Sequence, residues 1–281
     1  MRTQEEKAKL FRSLHQRVNA FIIPNPWDIG SARLLEQVGF EALATTSAGF
    51  AFSVGVQDNQ VGRDKAIAHA AQTVVATDLP VSADLENGFG DDPETVAETI
   101  RRAGQTGLAG GSIEDGTGRP EAPLYELELA VERVRAAAEA ARAHPFPFTL
   151  TARAENFIVG RPDLKDVITR LQAYQDAGAD VLYAPGLMSK EDIAAVVVAV
   201  DRPVNVLMGL SGVRLSLDEL SEIGVKRISV GSALSRAALG GFLRAAREMR
   251  ERGTFTFADE AVSYREVTAM LESYSDRKFQ T

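Results

Sequence analysis

Two carboxylates one residue apart close the short apolar run Val81-Ser82-Ala83-Asp84-Leu85-Glu86-Asn87-Gly88-Phe89-Gly90. Alternate residues of an extended chain share a face, so Asp84 and Glu86 can project to one side of a strand end. Paired oxygen donors of this kind suit a hard divalent cation. The same two residues would also serve as a helix cap or face water, so the rest of the chain has to decide between these uses.

Other residues of chemical interest recur just after apolar runs. Glu114 and Asp115 end Gly110-Gly111-Ser112-Ile113, and Arg153 and Glu155 end Phe148-Thr149-Leu150-Thr151-Ala152. Arg153 could clamp a carboxylate through two parallel hydrogen bonds, or make an ordinary ion pair. Thr46-Ser47-Ala48-Gly49-Phe50 is a small-residue stretch whose backbone N–H groups could approach a carboxylate or phosphate, or simply pack closely. Asp58 sits in the turn Gly55-Val56-Gln57-Asp58-Asn59, where an acid is by itself an ordinary turn former. Trp27 and Tyr183 are aromatic residues at strand ends, and Asn205 lies in a later strand.

Positioning these residues requires a regular scaffold. Strands are expected at 21–23, 41–45, 79–84, 110–115, 148–153, 180–184, 203–207 and 226–230. Helices are expected between them, at 30–38, 64–77, 94–105, 127–142, 164–177, 189–200, 216–223 and 233–251, after an amphipathic opening helix at 5–18. The acids of Asp91-Asp92-Pro93-Glu94 read as a helix start, with Pro in the first turn and negative charge at the positive end. Strict strand–helix alternation without a composition break predicts an α/β fold, a single (β/α)8 TIM-type barrel over residues 1–281. A helix at 259–274, within an extension from about residue 255, is surplus to a barrel and is a candidate for contact with a second subunit.

A parallel barrel opens all its strand carboxyl ends on one face. Asp58, Asp84, Glu86, Glu114, Arg153, Tyr183 and Asn205 would therefore share one mouth. Several carboxylates brought together repel one another unless a cation compensates them. An all-oxygen set without Cys or His favours Mg²⁺ or Mn²⁺ over zinc.

Composition narrows the chemistry further. The 281 residues include no cysteine, which removes disulfides, thiolate metal sites and cysteine nucleophiles. The three histidines, His15, His69 and His144, fall in helical segments and argue against a His-rich zinc site. A net charge of −8, with no basic cluster among aromatics, argues against a nucleic-acid partner. The polar start Met1-Arg2-Thr3-Gln4-Glu5-Glu6-Lys7 and the short, interrupted apolar runs predict neither an export signal nor a membrane span, hence a cytoplasmic protein.

Asn25-Pro26-Trp27-Asp28, Thr46-Ser47-Ala48-Gly49, Gly55-Val56-Gln57-Asp58, Ala83 to Gly90, Ser112-Ile113-Glu114-Asp115 and Ala152-Arg153-Ala154-Glu155 stand in the order of the isocitrate lyase/phosphoenolpyruvate mutase superfamily, which the chain resembles over nearly its whole length. The resemblance implies an α-oxo acid or its enolate bound to Mg²⁺, with Asp84 as direct ligand and Asp58, Glu86 and Glu114 holding metal-bound waters. It further implies that the Ser47 and Ala48 backbone amides, next to Gly49, grip the substrate carboxylate, that Arg153 contacts substrate, and that the C-terminal helix is exchanged in homodimers or homotetramers.

Two departures from the family pattern matter. The lyase branch carries a Lys-Lys-Cys-Gly-His motif with Cys as acid/base, where this chain has Gly116-Thr117-Gly118-Arg119-Pro120-Glu121-Ala122-Pro123. The mutase branch uses a Lys and an Asn in that loop, and Arg119 is no equivalent of a Lys. The expected function is a Mg²⁺-dependent lyase on a small α-oxo (di)carboxylate, cleaving a C–C bond or decarboxylating an oxaloacetate-type acid. A metal-bound water, Tyr183, Tyr125 or Glu121 is then the candidate proton donor, while Thr117 could orient a water for P–C bond chemistry. The competing readings are P–C bond chemistry, a carboxylate-binding homologue without turnover, and an unrelated barrel whose acids cap helices.

Overall fold

The computed structural model describes residues 2–274. Its strands are β1 (Phe21–Ile23), β2 (Leu43–Ala44), β3 (Val81–Asp84), β4 (Gly110–Glu114), β5 (Thr149–Arg153), β6 (Val181–Tyr183), β7 (Val204–Leu207) and β8 (Arg227–Ser229). The helices are α1 (Gln4–Leu14), α2 (Ile29–Val38), α3 (Ser47–Ser53), α4 (Arg63–Ala76), α5 (Pro93–Gly104), α6 (Leu127–Arg142), α7 (Leu164–Ala177), α8 (Lys190–Ala199), α9 (Leu217–Glu222), α10 (Ala233–Arg252) and α11 (Tyr264–Glu272). All ladders are parallel, in the order β1-β8-β7-β6-β5-β4-β3-β2. The Ala44 N–H spans the remaining seam by donating to the Pro24 carbonyl at 3.1 Å. This is the expected (β/α)8 barrel.

Local chemistry explains many of the boundaries. Asp28 caps α2 by accepting from the Ser31 N–H at 2.7 Å, and Gly39 ends the helix in the left-handed region at φ 100°. Asp92 caps α5 ahead of Pro93, so these acids are helix-start residues, as their order suggested. Leu85, Ile113, Leu150 and Leu182 are fully buried or nearly so, each worth about 1.5–3 kcal/mol against exposure. Gly110 is needed because a Cβ there would lie 2.5 Å from the Thr149 carbonyl oxygen of the adjacent strand.

Three segments depart from expectation. The small-residue stretch after Thr46 is helical, not loop: Thr46 accepts from the Gly49 N–H and starts α3. The opening helix stops at Leu14, because the next apolar residue, Val18, is exposed and has no core to join. The C-terminal helix expected at 259–274 is divided into a 3-10 turn, Thr256–Glu260, and α11, which begins anew with Ser263 capping the Glu266 N–H at 3.1 Å. Tyr274 anchors this segment on α2 by donating to Glu36 at 2.6 Å, while Phe255, Val262 and Tyr264 are exposed. Residues 275–281 of the expected extension lie outside the described residues.

His15 supplies a test of the packing beneath the barrel. It is buried edge-on against Phe11 and Phe21, and Nδ1 lies 2.8 Å from the Phe11 carbonyl, which makes Nδ1 the protonated nitrogen. Nε2 is buried without a hydrogen-bond partner. Burial, reinforced by the positive charge of Arg227, pushes its pKa down to about 3. The unfolded chain takes up this proton near pH 6.5 and the native state only near 3, so stability is full above 6.5 and falls as pH is lowered through that window. The slope is at most about 1.4 kcal/mol per pH unit. Thermal melts from pH 7 to 4 should show this loss, and His15→Leu should flatten it; an unchanged slope would discard His15 as the cause.

Candidate active site

Asp84 ends β3 at the carboxyl mouth of the barrel, with its own N–H donating to the Thr45 hydroxyl at 2.9 Å. Its Oδ2 accepts from the Ser47 N–H at 3.1 Å, and its Oδ1 accepts from the Glu86 N–H at 3.3 Å and from Arg153 Nη1 at 3.0 Å. Strand register brings the next residues together. Glu114 pairs with Arg153, Arg153 with Tyr183, Tyr183 with Asn205, and Asn205 with Arg227. In-register residues of parallel neighbours face the same side, so these five side chains form one row inside the barrel.

Arg153 is the hub of the acidic side. Besides Asp84, it binds Glu114 Oε2 through Nη2 at 3.1 Å and Glu155 Oε1 through Nε at 2.9 Å. Its guanidinium carbon stands 5.2 Å from the centre of the Tyr183 ring, a cation–π distance. One cation among three carboxylates leaves negative charge in excess. Burial raises the Glu114 carboxyl well above its usual range, and Arg153 does not cancel this because Glu155 and Asp84 press the same way. Burial, then Asp84 and Asp58, push Glu86 up to about 7. Asp58 is raised by loss of water around its carboxylate and by Asp84, with Ser47 and the Asn59 N–H working the other way. Arg153 itself is held charged: burial opposes its charge, but Glu114, Glu155 and Asp84 prevail.

The tandem acids Glu114 and Asp115 point to opposite faces, as the two-residue period of an extended chain requires. Asp115 turns away from the mouth and accepts from Tyr174 at 2.5 Å, Arg170 at 3.1 Å and the Glu155 N–H at 2.8 Å. It fixes the backbone that carries Glu155, beside Arg153. Glu86 holds a non-glycine φ of 49° and Phe89 one of 63°, so the turn after Asp84 carries backbone strain. Buried Arg133 of α6 holds that turn by donating to the carbonyls of Asn87, Gly90 and Asp91.

Of the residues singled out from sequence, Ser47, Ala48, Asp58, Asp84, Arg153, Tyr183 and Asn205 line a cavity of about 310 Å³ in the barrel mouth. Glu86, Glu114 and Thr117 line a second cavity on the side of the loop that follows β4. Trp27, Gly49 and Glu121 line neither. Trp27 lies against α3, and its carbonyl faces His69 Nε2 at 3.0 Å. Glu121 is exposed at the tip of a loop folded on itself, where Thr117 donates to the Ala122 carbonyl at 2.5 Å. Arg119 points outward to Asp91 at 2.8 Å, and Tyr125 also donates to Asp91, at 2.5 Å. Burial and that bond push Tyr125 up to about 12. Burial likewise pushes Tyr183, inside the main cavity, up to about 12.

Sequence reasoning noted Glu155 beside Arg153 without giving it a role, and passed over Arg133 and Arg227. Arg227 was the one with a readable signal, since a charged residue inside a parallel-barrel strand breaks the expected apolar run. Arg133 gave none, lying in an Ala- and Glu-rich helix whose tertiary partners are more than 40 residues away.

Among the described residues no three His, Cys, Asp or Glu side chains are placed to ligate one ion directly. The mouth nevertheless offers carboxylate oxygens from Asp58, Asp84, Glu86 and Glu114, in excess over Arg153. This fits an ion such as Mg²⁺, which commonly takes one or two carboxylates directly and keeps water elsewhere. Asp84 is the acid that the other three border.

Comparisons with known proteins place the chain in a family. A family model described as phosphoenolpyruvate phosphomutase matches residues 11–250. An uncharacterized protein of Mycobacterium tuberculosis is 30% identical over 272 residues, 96% of this chain and 99% of its own. The crystal structure of a Burkholderia cenocepacia protein, provisionally described as a lyase/mutase, superposes with a TM-score of 0.94 at 62% identity over 98% of each chain. 2,3-Dimethylmalate lyase, a phosphoenolpyruvate mutase/isocitrate lyase superfamily member, superposes with a TM-score of 0.83 at 27% identity, covering 96% of this chain and 95% of its own. Other relatives carry the names 2-methylisocitrate lyase and oxaloacetate acetylhydrolase. The chain therefore belongs to the phosphoenolpyruvate phosphomutase family, within the isocitrate lyase/phosphoenolpyruvate mutase superfamily.

Proposed function

We propose that this chain is a Mg²⁺-dependent lyase acting on a small α-oxo dicarboxylate, by C–C cleavage or by decarboxylation of oxaloacetate type. The observation that carries the reading is Arg153 held between Asp84 and Glu114 at 3.0 and 3.1 Å in the mouth of the barrel. A bound divalent ion would supply Lewis-acid stabilisation of negative charge on the α-oxo oxygen. Arg153 supports the same charge through a fixed, buried guanidinium that needs no reorganisation during reaction. The backbone at Ser47 and Ala48 holds the substrate carboxylate next to it.

In the decarboxylation form, the bond between C3 and the leaving carboxylate breaks, its electron pair passes into the enolate of pyruvate, and CO₂ departs. A proton then returns to C3. In this reading Tyr183, which lines the cavity, delivers it, and burial keeps its hydroxyl protonated at neutral pH. No cysteine acid is needed for this sequence of bond changes.

The family name favours a second reading, P–C bond chemistry on a phosphonopyruvate-like acid. Against it, the loop after β4 brings no cation to the mouth, since Arg119 is engaged outward with Asp91. The test is a panel of oxaloacetate, phosphonopyruvate and 2-methylisocitrate, assayed for pyruvate, phosphate or succinate with Mg²⁺ and after chelation. Turnover of oxaloacetate above the solution rate that vanishes with EDTA and returns with Mg²⁺ is the expected result. Phosphate release would establish the second reading. Binding of the acids with no product from any of them would identify a carboxylate-binding homologue. The same reading includes assembly as a homodimer or homotetramer through the exposed apolar side chains of the C-terminal segment, and sedimentation velocity returning a monomer would remove it.

A further inference from the structure

The cavity at the barrel mouth is chemically two-sided. Its acids, Asp58 and Asp84, come from the β2 and β3 side, and Arg153 is paired with acids there. The β7 and β8 side contains a guanidinium that has no acidic partner among the described residues. Arg227 is only 5% exposed, and it donates through Nε to Asn205 Oδ1 at 2.9 Å and through Nη2 to the Thr151 hydroxyl at 3.0 Å. Both partners are neutral. Its Nη1 is buried and has no hydrogen-bond partner.

A buried arginine is ordinarily paired with a carboxylate, because an uncompensated buried charge costs several kcal/mol. The charged or titratable groups facing Arg227 do not provide this. Arg153 repels it, His15 is held neutral, and Tyr183 is a protonated phenol. Burial, with Arg153 adding to it, lowers the Arg227 pKa to about 10, which still leaves the side chain charged at neutral pH. Replacing a buried charge by a well-packed apolar residue is often neutral or stabilising, so the charge calls for a counter-ion from outside the chain. Arg227, Asn205 and Ser229 all line the cavity that also contains Asp84 and Arg153, and the register row Arg153–Tyr183–Asn205–Arg227 links the two ends directly.

We propose that Arg227, with Asn205 and Ser229, binds the second acidic group of the substrate while the α-oxo end lies at Asp84 and Arg153. The site selects acids that carry two anionic groups over those that carry one. Arg227 acts as a specificity-determining residue, and Asn205 positions it through the 2.9 Å bond. The assignment rests on the α-oxo acid reading of the mouth, and it extends that reading by assigning the far end of the ligand.

Titration calorimetry in the presence of Mg²⁺ tests it, with pyruvate as the one-acid probe and 2-oxoglutarate and phosphonopyruvate as two-acid probes. Wild-type protein is expected to hold one or both two-acid probes at least tenfold more tightly than pyruvate. Arg227→Gln should erase this preference while leaving pyruvate affinity within about twofold, and Arg227→Lys should restore part of it. Preference for 2-oxoglutarate assigns a carboxylate to the site, and preference for phosphonopyruvate assigns a phosphonate. If Arg227→Gln does not fold, Ser229→Ala is read in the same way and should reduce the preference severalfold. No preference in the wild type, or equal weakening of all three probes in the variant, overturns the proposal. Selective binding without turnover of any acid would remove the lyase reading alone, whereas turnover with no selective effect at Arg227 would remove this inference alone.

Discussion

Asp84→Ala is expected to lower metal-dependent turnover of the preferred α-oxo acid by about a thousandfold or more, on the order of 4 kcal/mol of transition-state stabilisation. The residue is central because three donors of the mouth converge on it. Arg153, the Ser47 N–H and the Glu86 N–H all reach its two oxygens within 3.0–3.3 Å. Among the described residues, no other acid is both at a strand end and bordered by Asp58, Glu86 and Arg153. Calorimetric titration with Mg²⁺ gives a second readout, since the variant should lose the binding heat of wild-type protein. A third comes from Glu86, which Asp84 helps to raise: Asp84→Asn removes a negative charge, so the Glu86 carboxyl should titrate at a lower pH than about 7, observable by NMR. Retained turnover with unchanged Mg²⁺ dependence in Asp84→Ala would eliminate the metal centre as assigned.

Arg153→Met is expected to damage both catalysis and folding, for one electrostatic reason. The side chain is 15% exposed and is the shared partner of Asp84, Glu114 and Glu155. Removing one partner of a buried ion pair typically costs about 3–5 kcal/mol, because the charges left behind are neither solvated nor compensated. Urea denaturation should show a loss of that order. Saturating Mg²⁺ should recover part of it, since the cation supplies positive charge to the same carboxylates. Activity should fall by at least a hundredfold even in protein that is fully folded and metal-loaded. Arg153→Lys should recover stability better than activity, because a point charge can offset the acids without reproducing the planar fork that spans three of them. Equal stability of Arg153→Met and wild type would show that the acids are already protonated, and would contradict the charge balance described here.

Much of this organisation was legible in the sequence because it is local. The barrel follows from alternation of strand and helix, and helices such as α6 and α7 are delimited by periodicity and by turn residues such as Gly178. The places of Asp84, Glu114 and Arg153 at strand ends follow from where apolar runs stop. The resemblance added an order of motifs that the family match over residues 11–250 supports. Local reading failed where competing signals were weak. The small residues after Thr46 have no helical apolar stripe, so the cap at Thr46 was the only sign of α3. The loop after Glu114 contains Thr117, Arg119 and Glu121 in a plausible active-site segment, and nothing in its sequence says that Arg119 reaches outward to Asp91.

What the sequence by itself determined, then, is which residues stand at the carboxyl ends of parallel strands, since backbone periodicity and barrel topology require no knowledge of side-chain partners. Tertiary structure alone decided which of them share a charge. Arg153 meets Asp84 across 69 positions of chain, Arg133 braces the Asn87–Asp91 turn from a helix on the outer layer, and Arg227 reaches across the barrel to Thr151 without meeting an acid. Such pairings depend on strand register, barrel stagger and side-chain direction acting together. A change of one residue in a strand's register would move the group that strand carries, such as Arg153 or Arg227, to the opposite face.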